Sequence, residues 1–177
     1  LGGGLINVAG GITRILPNGN FGPIYESESF TEDIWIAGLP RLHIDVSTAT
    51  VGGQIYALLE DCSEDGSCIH IGHAIMDLRY HEGGNQEQTW LPIFDTINAK
   101  MEFFAMDVQI KAGHIIRLSL ASTGEDYLPA STSSIIEVSE GSSSNLLFDI
   151  INPENKLLFN PPACMHQSCL DWLNQTN

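Results

Sequence analysis

The feature that most constrains the fold is the period-two alternation of apolar and polar residues in short segments. Residues 41–47 alternate in this way, and residues 69–76 repeat the pattern after an acidic loop. Successive side chains of a β-strand point to opposite faces, so this alternation is typical of half-buried strands. No long apolar stripe with a period of 3.6 residues appears. The sequence therefore predicts an all-β domain.

Other segments predict further strands and two specific turns. Residues 101–110 predict one strand, in which a change of phase near Phe104 indicates a bulge. The dipeptide Gly52-Gly53 predicts a turn that joins residues 41–47 and 54–59 into a hairpin. Several short strands joined by Gly, Asn, Asp and Pro turns favour a β-sandwich or jelly roll. The remaining strands are predicted over residues 12–16, 114–121, 134–138 and 146–151.

Length and charge narrow the class of protein. The 177 residues fit a single domain. Within it we expect a lead-in segment with the first strands over 1–32, a jelly-roll core over 33–152 and a C-terminal tail over 153–177. The formal net charge of −15 repels phosphate backbones and anionic lipid headgroups, which excludes nucleic-acid binding as a function class. No apolar run is long enough to cross a bilayer, so we expect no membrane insertion.

The four cysteines form two local pairs. Cys62 and Cys68 flank a short polar segment, and Cys164 and Cys169 flank another. We interpret them as two disulfides, although four cysteines allow three pairings and a four-thiolate zinc site is an alternative that the spacing fits less well. Asn174 begins a glycosylation sequon. Together these features favour an extracytoplasmic or secreted protein.

Four carboxylates lie near one predicted hairpin. They are Glu60, Asp61, Glu64 and Asp65. Ca²⁺ prefers several oxygen ligands, so this group is the best candidate for a cation site, and calcium is the cofactor that it would take. The spacing matches no EF-hand loop, and a solvated acidic turn is the favoured interpretation.

Two pairs of side chains have the same three-residue offset. His70 with His73, and His114 with Arg117, could each be interpreted as a site. Residues three apart on a regular strand face opposite sides of the sheet, so neither pair should meet. We therefore predict no metal site at the histidine pair and a structural role for His114.

Aromatic residues suggest a different kind of site. Trp90 precedes a Leu-Pro step in an apparent loop, and with Tyr80 and Tyr127 it is a candidate for stacking on a carbohydrate or a partner. Trp35 and Tyr56 lie within apolar strand patterns and are expected in the core.

Four blocks of sequence resemble a known family in their order and spacing. They are Ile36–Val46, Tyr56–Asp61, Gly72–Tyr80 and Ile110–Leu118. Together they resemble the C-terminal domain of the X-Pro dipeptidyl-peptidase family, which includes cocaine esterase and the α-amino-acid ester hydrolases. The resemblance implies a jelly-roll β-sandwich similar to galactose-binding modules, in which Gly113, His114 and Arg117 are structural motif residues. It also implies an α/β-hydrolase catalytic domain upstream, on which such a module packs.

No catalytic residue is predicted in this chain. The sequence has no Gly-x-Ser-x-Gly nucleophile elbow and no βα alternation to carry one. The leading hypothesis is a non-catalytic accessory domain that shapes substrate access and supports oligomerisation. A free-standing carbohydrate- or cell-surface-binding module is the second. A structural subunit whose N-terminal strand adds to a neighbour's sheet is the third.

Overall fold

The chain folds almost entirely into β-strands. A computed structural model describes residues 2–7, 11–17, 21–82, 88–124, 127–128, 134–141 and 143–151. Within these ranges the only helical turn is the 3₁₀ segment Leu78–Tyr80, and no helix is long and apolar enough to span a membrane. The strands are β1 (Gly2–Asn7), β2 (Gly11–Ile15), β3 (Phe21–Glu26), β4 (Ile34–Gly38), β5 (Arg41–Thr48), β6 (Gln54–Cys62), β7 (Cys68–Asp77), β8 (Ile97–Glu102), β9 (Met106–Ile110), β10 (Ile115–Ala121), β11 (Ile136–Glu140) and β12 (Asn145–Ile151).

These strands form two antiparallel sheets. The larger sheet follows the order β2-β11-β5-β12-β4-β9, with β1 added to β12 and β8 added to β5. The smaller sheet has the order β3-β10-β6-β7, so β7 is one of its edges. The predicted all-β class and the two-sheet sandwich are confirmed, whereas the jelly-roll topology and the likeness to galactose-binding modules remain predictions.

The hydrophobic core is built from the alternating residues that the sequence pattern indicated. On β5 the buried apolar residues are Leu42, Ile44 and Val46, with polar residues between them. On β6 the side chains of Ile55, Ala57 and Leu59 are fully buried. Full burial of one aliphatic side chain contributes roughly 1.5–3 kcal/mol, so the periodicity determines which face of each strand turns inward.

The predicted hairpin between residues 41–47 and 54–59 is wrong. Strand β5 belongs to the larger sheet and β6 to the smaller one, and the two do not pair. Gly52 and Gly53 are both buried, and a Cβ atom on Gly53 would lie 3.2 Å from Cδ1 of Ile136. The dipeptide therefore carries the chain from one sheet to the other through a tight space.

The prediction of a single strand over residues 101–110 is also wrong, because this segment contains parts of two strands. β8 pairs with β5, and β9 pairs with β4. Between them Phe103 is buried and Phe104 is exposed, while the Phe103 amide donates to the Pro40 carbonyl at 2.9 Å. The change of phase marks the point where the chain leaves one partner strand and moves to another.

The N-terminal segment adds its strands to this chain's own sheet. β1 pairs with β12, and β2 pairs with β11. The hypothesis that this segment extends a neighbour's sheet therefore has no support in the structure. The predicted tail over 153–177 lies outside the described residues.

Candidate functional site

The β6–β7 hairpin ends in a cross-linked acidic turn. Cys62 and Cys68 face each other across the two strands, and their Sγ atoms lie 2.09 Å apart, at disulfide distance. Within the turn, the Asp65 carboxylate accepts hydrogen bonds from the Ser63 hydroxyl at 2.6 Å and from the Ser67 amide at 2.9 Å. These bonds, that from Ser63 first, lower the pKa of Asp65 to about 2. Asp65 is thus used in closing the turn.

The other carboxylates of the predicted calcium group have separate surroundings. Asp61 is 6% exposed, and its Oδ1 atom lies 2.7 Å from Nδ1 of His114. Glu64 lies against Gly113, where an added Cβ would be 2.8 Å from Oε1 of Glu64. Glu60 is placed opposite Arg117 on one side and His70 on the other. Across the described ranges, no three His, Cys, Asp or Glu side chains are arranged to hold a metal together.

The family-motif residues stabilise the turn that leads into β10. Gly113 has a φ of 87°, in the left-handed region that favours glycine, and its amide donates to the Phe30 carbonyl at 2.8 Å. His114 contacts Asp61, whereas Arg117 donates to Glu26 at 2.9 Å. His114 and Arg117 therefore do not share one site, as their offset predicted.

The argument that residues three apart on a strand cannot meet fails for His70 and His73, because a β-bulge lies between them. Leu59 pairs with Gly72 and Glu60 pairs with His70, which leaves Ile71 as the extra residue. His73 is opposite Leu58, so His70 and His73 both lie on the outer face of the smaller sheet. Nε2 of His70 and Nδ1 of His73 are 3.2 Å apart. The prediction that this pair cannot meet is wrong, because the bulge shifts the alternation by one residue.

Around His73 lies a set of rings that we call the ring cluster: Tyr56, His70, His73, Phe104 and Tyr127. The Tyr127 hydroxyl is 2.9 Å from Nε2 of His73. The ring centroids of Tyr56 and Phe104 lie 5.8 Å and 5.5 Å from that of His73. Tyr56 is buried, as expected. It lies on the outer face of its sheet, against Gly124, and not in the main core. Sequence reasoning named Tyr127 as a candidate ligand-binding residue but rejected the His70–His73 pair and did not connect either with Tyr56 or Phe104, since the bulge that assembles the cluster has no sequence signal.

Exposed apolar side chains gather on two loops at another place in the fold. We call Val51, Trp90, Ile93 and Phe94 the loop patch; their exposed fractions are 37%, 60%, 48% and 74%. The two loops are joined because the Leu91 amide donates to the Val51 carbonyl at 3.1 Å and the Phe94 amide donates to Thr48 at 2.9 Å. Large apolar side chains exposed together on adjacent loops are typical of an interaction site.

Trp90 is held by a charged pair beneath the patch. The guanidinium carbon of Arg79 lies 5.8 Å from the Trp90 ring centroid. Burial opposes ionisation of Asp77, but hydrogen bonds from Arg79 outweigh it and lower the pKa of Asp77, and the same bonds raise the pKa of Arg79. The pair therefore stays ionised and fixes the cation beside the indole.

The three predicted ligand-binding aromatics do not form one platform. Tyr80 is 40% exposed and ends the 3₁₀ turn. Tyr127 belongs to the ring cluster, and no ring contact within the described residues joins it to Trp90 or Tyr80. Trp35 is only half-buried, and its indole N–H donates to Asp107, so its expected core position is wrong. Cys164, Cys169 and Asn174 lie outside the described residues.

Comparison with known proteins gives one family. The model of the X-Pro dipeptidyl-peptidase C-terminal non-catalytic domain matches residues 18–151. This span contains the ring cluster, the loop patch and the Gly113 turn. No curated protein matches the chain in sequence.

Solved hydrolases share the fold. A CocE/NonD family hydrolase from Staphylococcus aureus aligns with a TM-score of 0.70 and 11% identity over 82% of this chain and 33% of its own. An aminopeptidase from a marine sediment archaeon, Thaumarchaeota, aligns with a TM-score of 0.69 and 12% identity over 82% of this chain and 34% of its own. An α-amino acid ester hydrolase aligns with a TM-score of 0.62 and 17% identity over 72% and 25%. The chain spans about a third or less of the length of these hydrolases.

Proposed function

The chain belongs to the family of X-Pro dipeptidyl-peptidase C-terminal non-catalytic domains, and on that premise we propose that it is the accessory domain of a serine hydrolase. In this proposal a separate α/β-hydrolase domain carries the catalytic residues. The present domain packs against it and forms part of the wall of the substrate entrance. The observation that carries the proposal is the family match over residues 18–151, supported by a sequence without a nucleophile elbow.

The solved hydrolases of similar fold also support a separate catalytic domain beside an accessory domain. Each of the aligned hydrolases is far longer than the part that this chain matches. A domain that covers a third of such an enzyme leaves room for a catalytic domain of ordinary size. The substrate classes that fit are those in the names of the family and its fold relatives, X-Pro peptides and α-amino acid esters.

The loop patch is the surface that we assign to the catalytic domain. Its four side chains are large and apolar, and they are too exposed to contribute fully to this domain's own core. Phe94 also has a φ of 65°, a conformation that costs energy in a residue other than glycine. Docking would remove this surface from water, with a gain of about 25 cal/mol per Å² of apolar area.

A comparison of variants tests the docking surface. Trp90→Ser and Phe94→Ser in the native protein should increase amide hydrogen exchange across residues 88–96 and expose the domain junction to proteolysis. Ile24→Ser is the matched control, because Ile24 is 56% exposed but lies on β3 of the smaller sheet. If residues 88–96 exchange as fast in the native protein as in the isolated chain, the patch is not the docking surface.

Trp90 also supports a second candidate function. Its ring is exposed and steadied by Arg79 on one side, an arrangement suited to stacking on a sugar ring. Carbohydrate binding would be expected to quench Trp90 fluorescence in the wild type and not in Trp90→Phe. Docking on a catalytic domain is favoured because Ile93 and Phe94 extend the surface with apolar groups that a hydroxyl-rich sugar would not match.

We propose an extracytoplasmic location for the protein. The Cys62–Cys68 pair at disulfide distance supports it, because such bonds persist in oxidising compartments. Alkylation of the native protein before and after reduction tests this: protection of Cys62 and Cys68 until reduction is expected, whereas labelling without reduction contradicts it.

Capture of the native protein tests the accessory role itself. An antibody against this chain should recover a polypeptide whose peptide map also contains an α/β-hydrolase sequence with a nucleophile elbow. Recovery of a protein without any hydrolase sequence, either in the same polypeptide or bound to it, would contradict the proposal.

A further inference from the structure

The bulge in β7 brings two histidine side chains together, and the proposed accessory role does not involve them. It places His70 and His73 on the same face, and their nearest ring nitrogens converge to 3.2 Å. A tetrahedral zinc ion with Zn–N distances of about 2.0–2.1 Å separates two ligand nitrogens by roughly 3.3–3.4 Å. The two side chains thus already stand almost at the spacing of two zinc ligands.

We propose that His70 and His73 bind a divalent metal ion of intermediate Lewis-acid softness, such as Zn²⁺. The ligands are Nε2 of His70 and Nδ1 of His73, and water completes the coordination. The site is a two-histidine one, since no third His, Cys, Asp or Glu of the described ranges is arranged with them. Imidazole nitrogen is a preferred ligand of Zn²⁺, Ni²⁺ and Cu²⁺, whereas Ca²⁺ prefers oxygen.

The surroundings of His73 hold it in the orientation that the ion needs. Tyr56 and Phe104 pack near its ring, and the Tyr127 oxygen lies 2.9 Å from Nε2. The metal would replace the hydrogen bond between Nδ1 of His73 and Nε2 of His70, and Nε2 of His73 would then carry the proton and donate to Tyr127. Such an outer hydrogen bond fixes the tautomer of a ligating histidine and strengthens its binding. His70 is exposed, so it can rotate by the small amount that opens the space for the ion.

Electrostatics favours a cation at this position. Glu60 is directly opposite His70 on β6, and the whole chain carries a formal net charge of −15. Arg117, which is opposite Glu60 on the other side of β6, is paired with Glu26. An incoming divalent cation therefore approaches a surface of opposite sign.

Isothermal titration of the purified chain with ZnCl₂ tests the site, with Cu²⁺ electron paramagnetic resonance to count nitrogen ligands. We expect one ion per chain and a two-nitrogen Cu²⁺ spectrum. His70→Ala and His73→Ala should each abolish the two-nitrogen signal, and Tyr127→Phe should weaken binding by about 10–100-fold. His43→Ala, a histidine on β5 outside the cluster, is the control and should bind as the wild type does.

Two results would overturn the assignment. One is the absence of Zn²⁺ binding by the folded wild-type chain. The other is unchanged binding in the His70→Ala/His73→Ala double variant, which would place the ion elsewhere on the chain. Circular dichroism of each variant verifies its fold, and His70→Ala is expected to fold because His70 is exposed.

Discussion

At the scale of single residues, the local geometry depends on individual positions such as Gly113 and Ile71. Gly113 sits in a turn that the Lys-Ala-Gly sequence indicates, and its positive φ explains why glycine is needed there. His70 and His73 show where prediction from strand alternation fails. Their contact depends on one extra residue in β7, and nothing in the sequence of the strand marks Ile71 as that residue. The alternation rule failed because it assumes an unbroken ladder.

Gly113→Ala should lower the free energy of unfolding by about 1–2 kcal/mol, the cost of a left-handed conformation in a residue with a Cβ atom. The added Cβ would also press on the end of the Glu64 side chain. Urea denaturation measures the change. Gly141→Ala is the control, since a Cβ there meets nothing within 4 Å and its φ is not positive. Equal stability of the two variants would show that the conformation of Gly113 is not strained by a side chain.

The acidic turn gives a pH-dependent prediction. The pKa of Asp65 is about 2 in the folded protein, below its unfolded value, so ionised Asp65 stabilises the fold above the unfolded pKa. That contribution is lost as the pH falls towards 2. The stability difference between the wild type and Asp65→Asn should therefore be largest above about pH 4 and shrink towards pH 2. Denaturant titrations from pH 5 to pH 2 measure it. A difference that does not change with pH would contradict the assigned hydrogen bonds.

At the scale of elements, the alternation predicts strands but not their partners. Residues 41–47, 69–76 and 146–151 all lie within strands close to their predicted bounds. The hairpin at Gly52-Gly53 failed because a Gly-Gly turn fits equally a tight hairpin and a crossing between sheets, and the choice depends on distant strands such as β8 and β11. Of the N-terminal strands, β2 corresponds to the strand predicted over residues 12–16. β1 was not predicted individually, since a Gly-rich segment gives little hydrophobic pattern even where it pairs with β12.

The Cys62–Cys68 link should stabilise the β6–β7 hairpin. Closing so short a loop in the unfolded chain contributes about 2–3 kcal/mol to the free energy of unfolding by the chain-entropy argument. The double variant Cys62→Ala/Cys68→Ala should lose that amount in urea denaturation under oxidising conditions. Reduction of a Cys164→Ala/Cys169→Ala variant, which retains Cys62 and Cys68 alone, should produce a loss of similar size, and insensitivity of that variant to reduction would contradict the role of the link.

At the scale of the whole molecule, the fold and the family match agree with the predictions. The candidate functional residues, however, lie in two separate groups, the ring cluster and the loop patch. The strand pattern is enough to predict a sandwich, and four sequence blocks are enough to identify the family that matches residues 18–151. The ring cluster and the loop patch are not visible in the sequence, because each joins loops or strands that are far apart along the chain. Trp90 was identified by its loop position, while Ile93 and Phe94 acquire meaning only through their exposure.

The central claim is that this domain serves a serine hydrolase. Labelling of the producing cells with a fluorescent fluorophosphonate probe, followed by an immunoblot for this chain, tests it most directly. The immunoreactive band should coincide with a labelled band about three times the length of this chain, as in the aligned hydrolases. A stable, unlabelled band near 19.3 kDa, without a labelled partner, would contradict it and show that the fold serves an independent binding function.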